Sequence, residues 1–200
     1  MQKVVYIIPG SGESPREKCY QNIARWFSAQ GIQPQLVSIH WNHRVMSDYI
    51  KEFLKKYKQT HRRGDEIYLF GFSFGAMIAF ISFAKIRPKT IILCSLSPYF
   101  KEDISNIPEK WMKGKNKNET LELQRGVKNL KNFSFRTFVR KVNSKTFILC
   151  GKEEHKLCIN RSRNAKKEIK NSKLILIPET KHRLSNKKYL EKVREVIQKL

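Results

Sequence analysis

Short apolar runs recur along the chain at Val4 to Ile8, Gln35 to His40, Glu66 to Gly71, Thr90 to Ser95, Thr146 to Cys150 and Lys173 to Ile177, each bounded by Gly, Pro or polar residues. Runs of that length rich in Ile, Leu, Val and Phe predict strands buried on both faces. Between them the apolar positions change to helical spacing at about Pro15 to Gln30, Val45 to Thr60, Phe74 to Ile86, Ile159 to Asn171 and Asn186 to Leu200. Strand and helix therefore alternate, which predicts an α/β fold: a doubly wound, mostly parallel six-stranded sheet with helices on both faces.

One stretch breaks the alternation. Between Pro98 and Thr146 no strand pattern occurs, so residues 99–145 read as an insertion or small lid after the fourth strand of a single domain spanning 1–200. Within it, Leu121, Leu123, Val127 and Leu130 fall near helical spacing between Glu119 and Phe133, preceded by the basic run Lys110, Lys113, Lys115 and Lys117.

Composition narrows the class. The chain has 200 residues, 40% of them apolar, including 12 Phe, 7 Tyr and 3 Trp, which is ample for a self-sufficient core. No apolar stretch is long enough to span a bilayer, and Met1-Gln2-Lys3 leads straight into a strand and a Gly-rich turn rather than a cleavage site, so a cytoplasmic protein is expected. Cys19, Cys94, Cys150 and Cys158 are widely spaced with no paired motif, and two lie inside apolar runs; buried reduced thiols are expected, with neither disulfide nor metal site. Lys and Arg number 41 against 17 Asp and Glu, a net charge of +24. The lysines are spread over every helix with no nucleic-acid-binding motif, so the charge predicts a solvated surface and no specific nucleic-acid partner.

The sharpest chemical signal is Gly71-Phe72-Ser73-Phe74-Gly75, at the junction of the third strand and the apolar helix after it. A G-x-S-x-G turn in that context lifts a serine hydroxyl above the sheet edge, and the flanking glycines leave room for the neighbouring backbone. The helix that follows brings its positive N-terminal end, with the backbone N–H of Phe74, to any developing oxyanion. After the first strand comes a second glycine turn, Pro9-Gly10-Ser11-Gly12-Glu13-Ser14-Pro15. Gly10-x-Gly12 has the first two glycines of a dinucleotide fingerprint but not the third, so no nucleotide cofactor is expected.

On these motifs the sequence resembles the α/β-hydrolase superfamily over most of its length, and is most similar to its small, nearly lidless serine hydrolases. That family orders its residues nucleophile, acid, histidine. The resemblance accordingly implies Ser73 as nucleophile, an acid from Gly151-Lys152-Glu153-Glu154 after the fifth strand, and His182, in the loop after the sixth, as base. The family's acid stands three residues after the strand-ending glycine, which selects Glu154 over Glu153; Asp103 and Glu102 after the fourth strand remain alternatives. The same resemblance assigns the oxyanion hole to the N–H groups of Ser11 and Phe74, and substrate contacts to Gly10, Gly12 and Tyr99.

The implied reaction is cofactor-free hydrolysis of a small carboxylic ester or thioester through an acyl-enzyme, with Phe72, Phe74, Tyr99, Phe100 and Trp111 lining an acyl pocket and the basic insertion, Lys110 to Lys145, steering an anionic substrate. The competing reading is a hydrolase-fold adaptor that binds without turnover. His40 and His43, flanking Trp41-Asn42, are placed at the rim of the site or in ordinary loop packing, and His155 at the surface.

Overall fold

The structure, a computed structural model, describes residues 1–108 and 116–200; Lys110, Trp111, Lys113 and Lys115 of the expected basic run and pocket lie outside the described residues. The strands are β1 (Lys3–Ile8), β2 (Gln33–Leu36), β3 (Glu66–Phe72), β4 (Thr90–Cys94), β5 (Lys145–Gly151) and β6 (Ser172–Ile177). They form one sheet in the order β2-β1-β3-β4-β5-β6, every adjacent pair parallel. The chain winds one way from β1 to β2 and the other way from β3 onward. The order therefore reverses between β1 and β3, and a crevice opens at the carboxyl ends of these two strands, where ligands bind in such sheets.

The helices are α1 (Lys18–Ala29), α2 (Met46–Thr60), α3 (Phe74–Ile86), α4 (Lys117–Leu130), α5 (Phe135–Val139), α6 (Lys156–Glu168) and α7 (Lys187–Ile197). Strand side chains alternate between two cores. Val5, Ile7, Tyr68, Phe70 and Phe72 pack under α1 and α7, whereas Val4, Tyr6, Ile8, Ile67 and Leu69 pack under α2, α3 and the insertion. Helix α3 is buried on nearly every side because the sheet covers one face and α2 and α5 cover the others.

Among the described residues the expected insertion is present as a 3-10 turn (Ile104–Asn106), α4 and the short α5, the last of which the spacing did not predict. Two boundaries differ in an instructive way. The second strand ends at Leu36, two residues after Pro34, instead of running from Gln35 to His40. The alternation of Val37 and Ile39 reflects burial in the α2-side core by extended chain that leaves the ladder once Val37 N–H has bonded Ile7 O at 3.0 Å. Helix α6 begins three residues earlier than its apolar pattern because the His155 side chain accepts the Leu157 N–H and caps the helix at that point. Among the described residues no helix is long and apolar enough to cross a membrane.

The contact that sets the crevice is backbone against backbone. A Cβ on Gly75 would lie 2.2 Å from the carbonyl oxygen of Ile8 and 2.3 Å from that of Pro9, and one on Gly71 would lie 2.4 Å from Gly75 O. Glycine at both positions lets the start of α3 sit directly on the end of β1. Gly75→Ala is expected to destabilise the protein by about 1–3 kcal/mol or more, through the forced separation of the two segments. Urea unfolding should show this as a lowered midpoint at unchanged slope.

Candidate active site

Ser73 sits between the last residue of β3 and the first of α3 with φ 53° and ψ −117°, a left-sided conformation that costs a non-glycine residue of order 1–3 kcal/mol. Its N–H bonds Cys94 O at 2.9 Å and its carbonyl receives Met77 N–H at 3.1 Å, so the turn is held from both sides. The side chain does not cap α3. Its hydroxyl instead lies 2.9 Å from His182 Nε2.

His182 arrives from the loop after β6, which is fastened to the loop after β5. Lys152 N–H bonds Ile177 O at 2.8 Å and Glu153 N–H bonds Thr180 O at 3.0 Å. Gly151 permits this approach, since a Cβ there would stand 2.2 Å from Thr180 O. The fastening brings the Glu154 carboxylate 2.7 Å from His182 Nδ1. A carboxylate only accepts, so Nδ1 carries the ring proton and Nε2 is left as acceptor for the Ser73 hydroxyl. Phe72 supports the imidazole from beneath, with ring centroids 5.0 Å apart.

The Glu154 side chain is fully buried, yet both its oxygens are satisfied. Besides His182, it accepts Ser95 Oγ–H at 2.6 Å and Gly151 N–H at 2.7 Å. Burial alone would raise its pKa, but the hydrogen bond and charge of His182, with the Ser95 and Gly151 donors, hold it below the ordinary 4.5. Ser95, just past β4 and itself at φ 49°, lies 2.8 Å from Tyr189 Oη, and the Tyr189 hydroxyl donates to Leu149 O at 3.0 Å. Neither Ser95 nor Tyr189 was picked out by the sequence reading. The only signal was a serine directly after a strand that ends beside the site.

Of the carboxylates read from sequence, only Glu154 meets His182. Glu153 is exposed. Asp103 pairs with Arg161 at 2.5 and 3.0 Å, and Glu102 accepts Ser134 Oγ–H and the N–H groups of Phe135 and Arg136, so both secure the insertion.

Ser11 and Phe74 line one cavity of about 470 Å3 next to Ser73. Its apolar wall is Trp41, Met46 and Tyr49 on one side and Leu123, Val127 and Leu130 of α4 on the other. Three larger clefts, of about 490, 640 and 840 Å3, are lined by neither Ser11 nor Phe74. The expected pocket residues are divided accordingly. Phe74 lines the cavity, and Tyr99 stands edge-on to it at 5.2 Å, its hydroxyl pushed up to about 12 by burial. Phe72 points to the opposite face of the sheet, under His182. Phe100 is core, packed on Phe80 and Phe135.

In the glycine loop, Gly10 spends its N–H on Glu13 Oε2 at 2.9 Å and Tyr20 Oη at 3.0 Å, while Gly12 has φ 77° and open space around it. Trp41 Nε1–H bonds Glu13 O at 3.3 Å and ties this loop to the cavity wall. His43 reaches the cavity rim and pairs with Glu122 of α4 at 2.5 Å; His40 pairs with Glu52. Asn129 joins α4 to Ser47, accepting Ser47 N–H at 3.1 Å and donating to Ser47 Oγ at 2.6 Å.

Comparison with known proteins places this geometry. Est1E from Butyrivibrio proteoclasticus superposes with a TM-score of 0.83 at 18% identity, over 99% of this chain and 86% of that one. Its form with ferulic acid bound gives 0.81 at 16%, over 98% and 87%. Alpha/beta hydrolase domain-containing protein 10 from mouse gives 0.78 at 12%, over 98% and 88%. At these identities the likeness is one of fold. No curated protein matches the sequence significantly. Residues 1–119 match the Phospholipase/Carboxylesterase family, a span that takes in the glycine loop, β3 and the Ser73 turn. With more than half of the chain matched and a serine, histidine and glutamate joined in one hydrogen-bonded line, the protein belongs to that family and is a serine hydrolase of the α/β-hydrolase superfamily.

Proposed function

We propose that the protein hydrolyses a small carboxylic ester or thioester, with Ser73 as nucleophile, His182 as general base and acid, and Glu154 as the group that fixes the imidazole. The observation that carries this reading is the unbroken line from Ser73 Oγ to His182 Nε2 at 2.9 Å and from His182 Nδ1 to Glu154 Oε2 at 2.7 Å. As Ser73 attacks the acyl carbon its proton passes to Nε2, and Glu154 stabilises the imidazolium so formed. The proton then goes to the leaving alcohol or thiol, and the acyl-enzyme is released by water that His182 activates. The backbone N–H groups of Ser11 and Phe74 receive the oxyanion, each worth about 3 kcal/mol in the transition state. Two observations support that assignment: both residues border one cavity, and no side chain caps α3. Gly10 and Gly12 shape the loop that presents Ser11, and Tyr99 buttresses Phe74.

The acyl group occupies the apolar cavity beneath α4, with residues 99–145 serving as a small lid on a single domain spanning 1–200. Est1E holds ferulic acid, and a cavity of about 470 Å3 suits an acyl group of comparable size. The net charge of +24 favours encounter with a substrate that has an anionic part. The chemistry so written needs no cofactor and no nucleic acid. Four buried free cysteines favour a reducing compartment, the cytoplasm.

Ser95 acts through Glu154 as a positioning residue. Its hydroxyl holds the carboxylate oxygen that His182 does not use, so removing it loosens the acid and not the substrate.

Ser73→Ala should abolish labelling by a fluorophosphonate, seen as a single adduct on the wild-type intact mass, and lower turnover by about four to six orders of magnitude with the fold retained. Labelling of the variant to the same extent would remove Ser73 from the mechanism. Ser95→Ala should lower kcat about 10- to 100-fold, as expected for loss of a hydrogen bond to a charged group worth about 1.5–3 kcal/mol, with KM nearly unchanged. Added salt should slow hydrolysis of an anionic ester and leave a neutral one of equal acyl length unaffected; equal salt responses would refute anionic selection.

A further inference from the structure

The hydrolytic cycle leaves a nucleophilic side chain, Cys158, beside its acid without a task. Cys158 stands in the first turn of α6, four residues beyond Glu154, so the helix returns its sulfur to the carboxylate that the preceding loop presents. The loop after β6 brings His182 to the same point. One ligand atom from each of Glu154, Cys158 and His182 lies within 4.8 Å of the other two, the one such trio among the described residues.

We propose that Glu154, Cys158 and His182 form a binding site for a borderline-soft divalent cation of the zinc class, and that its occupancy switches hydrolysis off. The inhibitory consequence rests on the roles proposed for Ser73 and His182; the site itself does not.

The donor set is one thiolate sulfur, one imidazole nitrogen and one carboxylate oxygen, a combination that selects zinc or cadmium over magnesium or calcium. Ligand bonds of about 2.0–2.3 Å put the donors of a tetrahedral ion roughly 3–4 Å apart, so side-chain adjustment of about 1 Å closes the trio on a metal. Glu154 and Cys158 are buried, and their two negative charges would neutralise the ion in a poorly solvated place. His182 is 39% exposed in its side chain, so of the three ligands it is the one in contact with solvent.

Coordination needs two proton movements and no redox partner. The Cys158 thiol releases its proton to solvent. The imidazole proton leaves Nδ1, whose lone pair binds the metal, and is taken up at Nε2. His182 then keeps one proton and stays uncharged, but Nε2 becomes a donor towards Ser73 and no longer accepts its hydroxyl proton. The metal thus fixes the tautomer opposite to the one catalysis requires, which Glu154 holds in its absence.

The test titrates the intact protein with buffered free zinc while a neutral ester is hydrolysed, and in parallel with cadmium, whose thiolate bond gives an ultraviolet charge-transfer band. Wild type should be inhibited reversibly by chelator, at free zinc at least about tenfold lower than Cys158→Ser requires, since losing a ligand costs no less than losing an outer-shell partner. One cadmium per chain should give the thiolate band, which disappears in Cys158→Ser. Cys158→Ala serves the same comparison should the serine variant fold poorly. Ser73→Ala should keep the band while inactive, so failure of the hydrolase reading would leave the metal measurement intact. Equal zinc sensitivity with and without Cys158, or a cadmium band that survives its replacement, would overturn the proposal.

Discussion

A carboxylate taken wholly out of water must find donors for both oxygens or give up its charge. Glu154 finds three, and each comes from a different part of the sheet: Gly151 from the end of β5, Ser95 from the end of β4 and His182 from beyond β6. Misplacing any of these strand ends would strand a buried charge. The acid therefore does more than orient a histidine. It makes the register of three neighbouring strands and the ionisation of one side chain a single condition, and Tyr189, rooted in α7, adds a fourth element through Ser95.

The serine side of the site is held by a different means. Ser73 is kept in its unfavourable backbone conformation by the bond from its N–H to Cys94 O and by the glycine contacts that seat α3 on β1. Steric closeness does at this turn what hydrogen bonding does at the acid. The two devices converge because the strand order reverses between β1 and β3, so the glycine loop, the turn and the histidine loop all open at one end of the sheet.

Much of this was legible in the chain. Parallel strands buried on both faces announce themselves as apolar runs, and a Gly-x-Ser-x-Gly turn between strand and helix has few other uses. Parity along a strand was also readable in principle. Tyr68, Phe70 and Phe72 share a face, so Phe72 belongs under His182 once Tyr68 and Phe70 are given to the α1 and α7 core. Other features had no local trace. Val37 and Ile39 alternate as a strand would, although they are buried by loop. Ser95 and Glu154 are 59 residues apart, and nothing near either marks the bond between them. The cavity wall was hidden for the same reason: Trp41, Met46 and Leu123 come from separate segments, and the tie between Asn129 and Ser47 spans 82 residues.

That last tie separates two inheritances within the molecule. The hydrogen-bonded line runs through strand ends and their loops, whereas one whole side of the cavity is α4, which touches the body through Asn129, the His43–Glu122 pair and the buried Leu130. Substitutions along 117–130 can thus reshape the cavity without disturbing the strand ends that join Ser73, His182 and Glu154. In such an arrangement relatives sharing the sheet need not share a substrate.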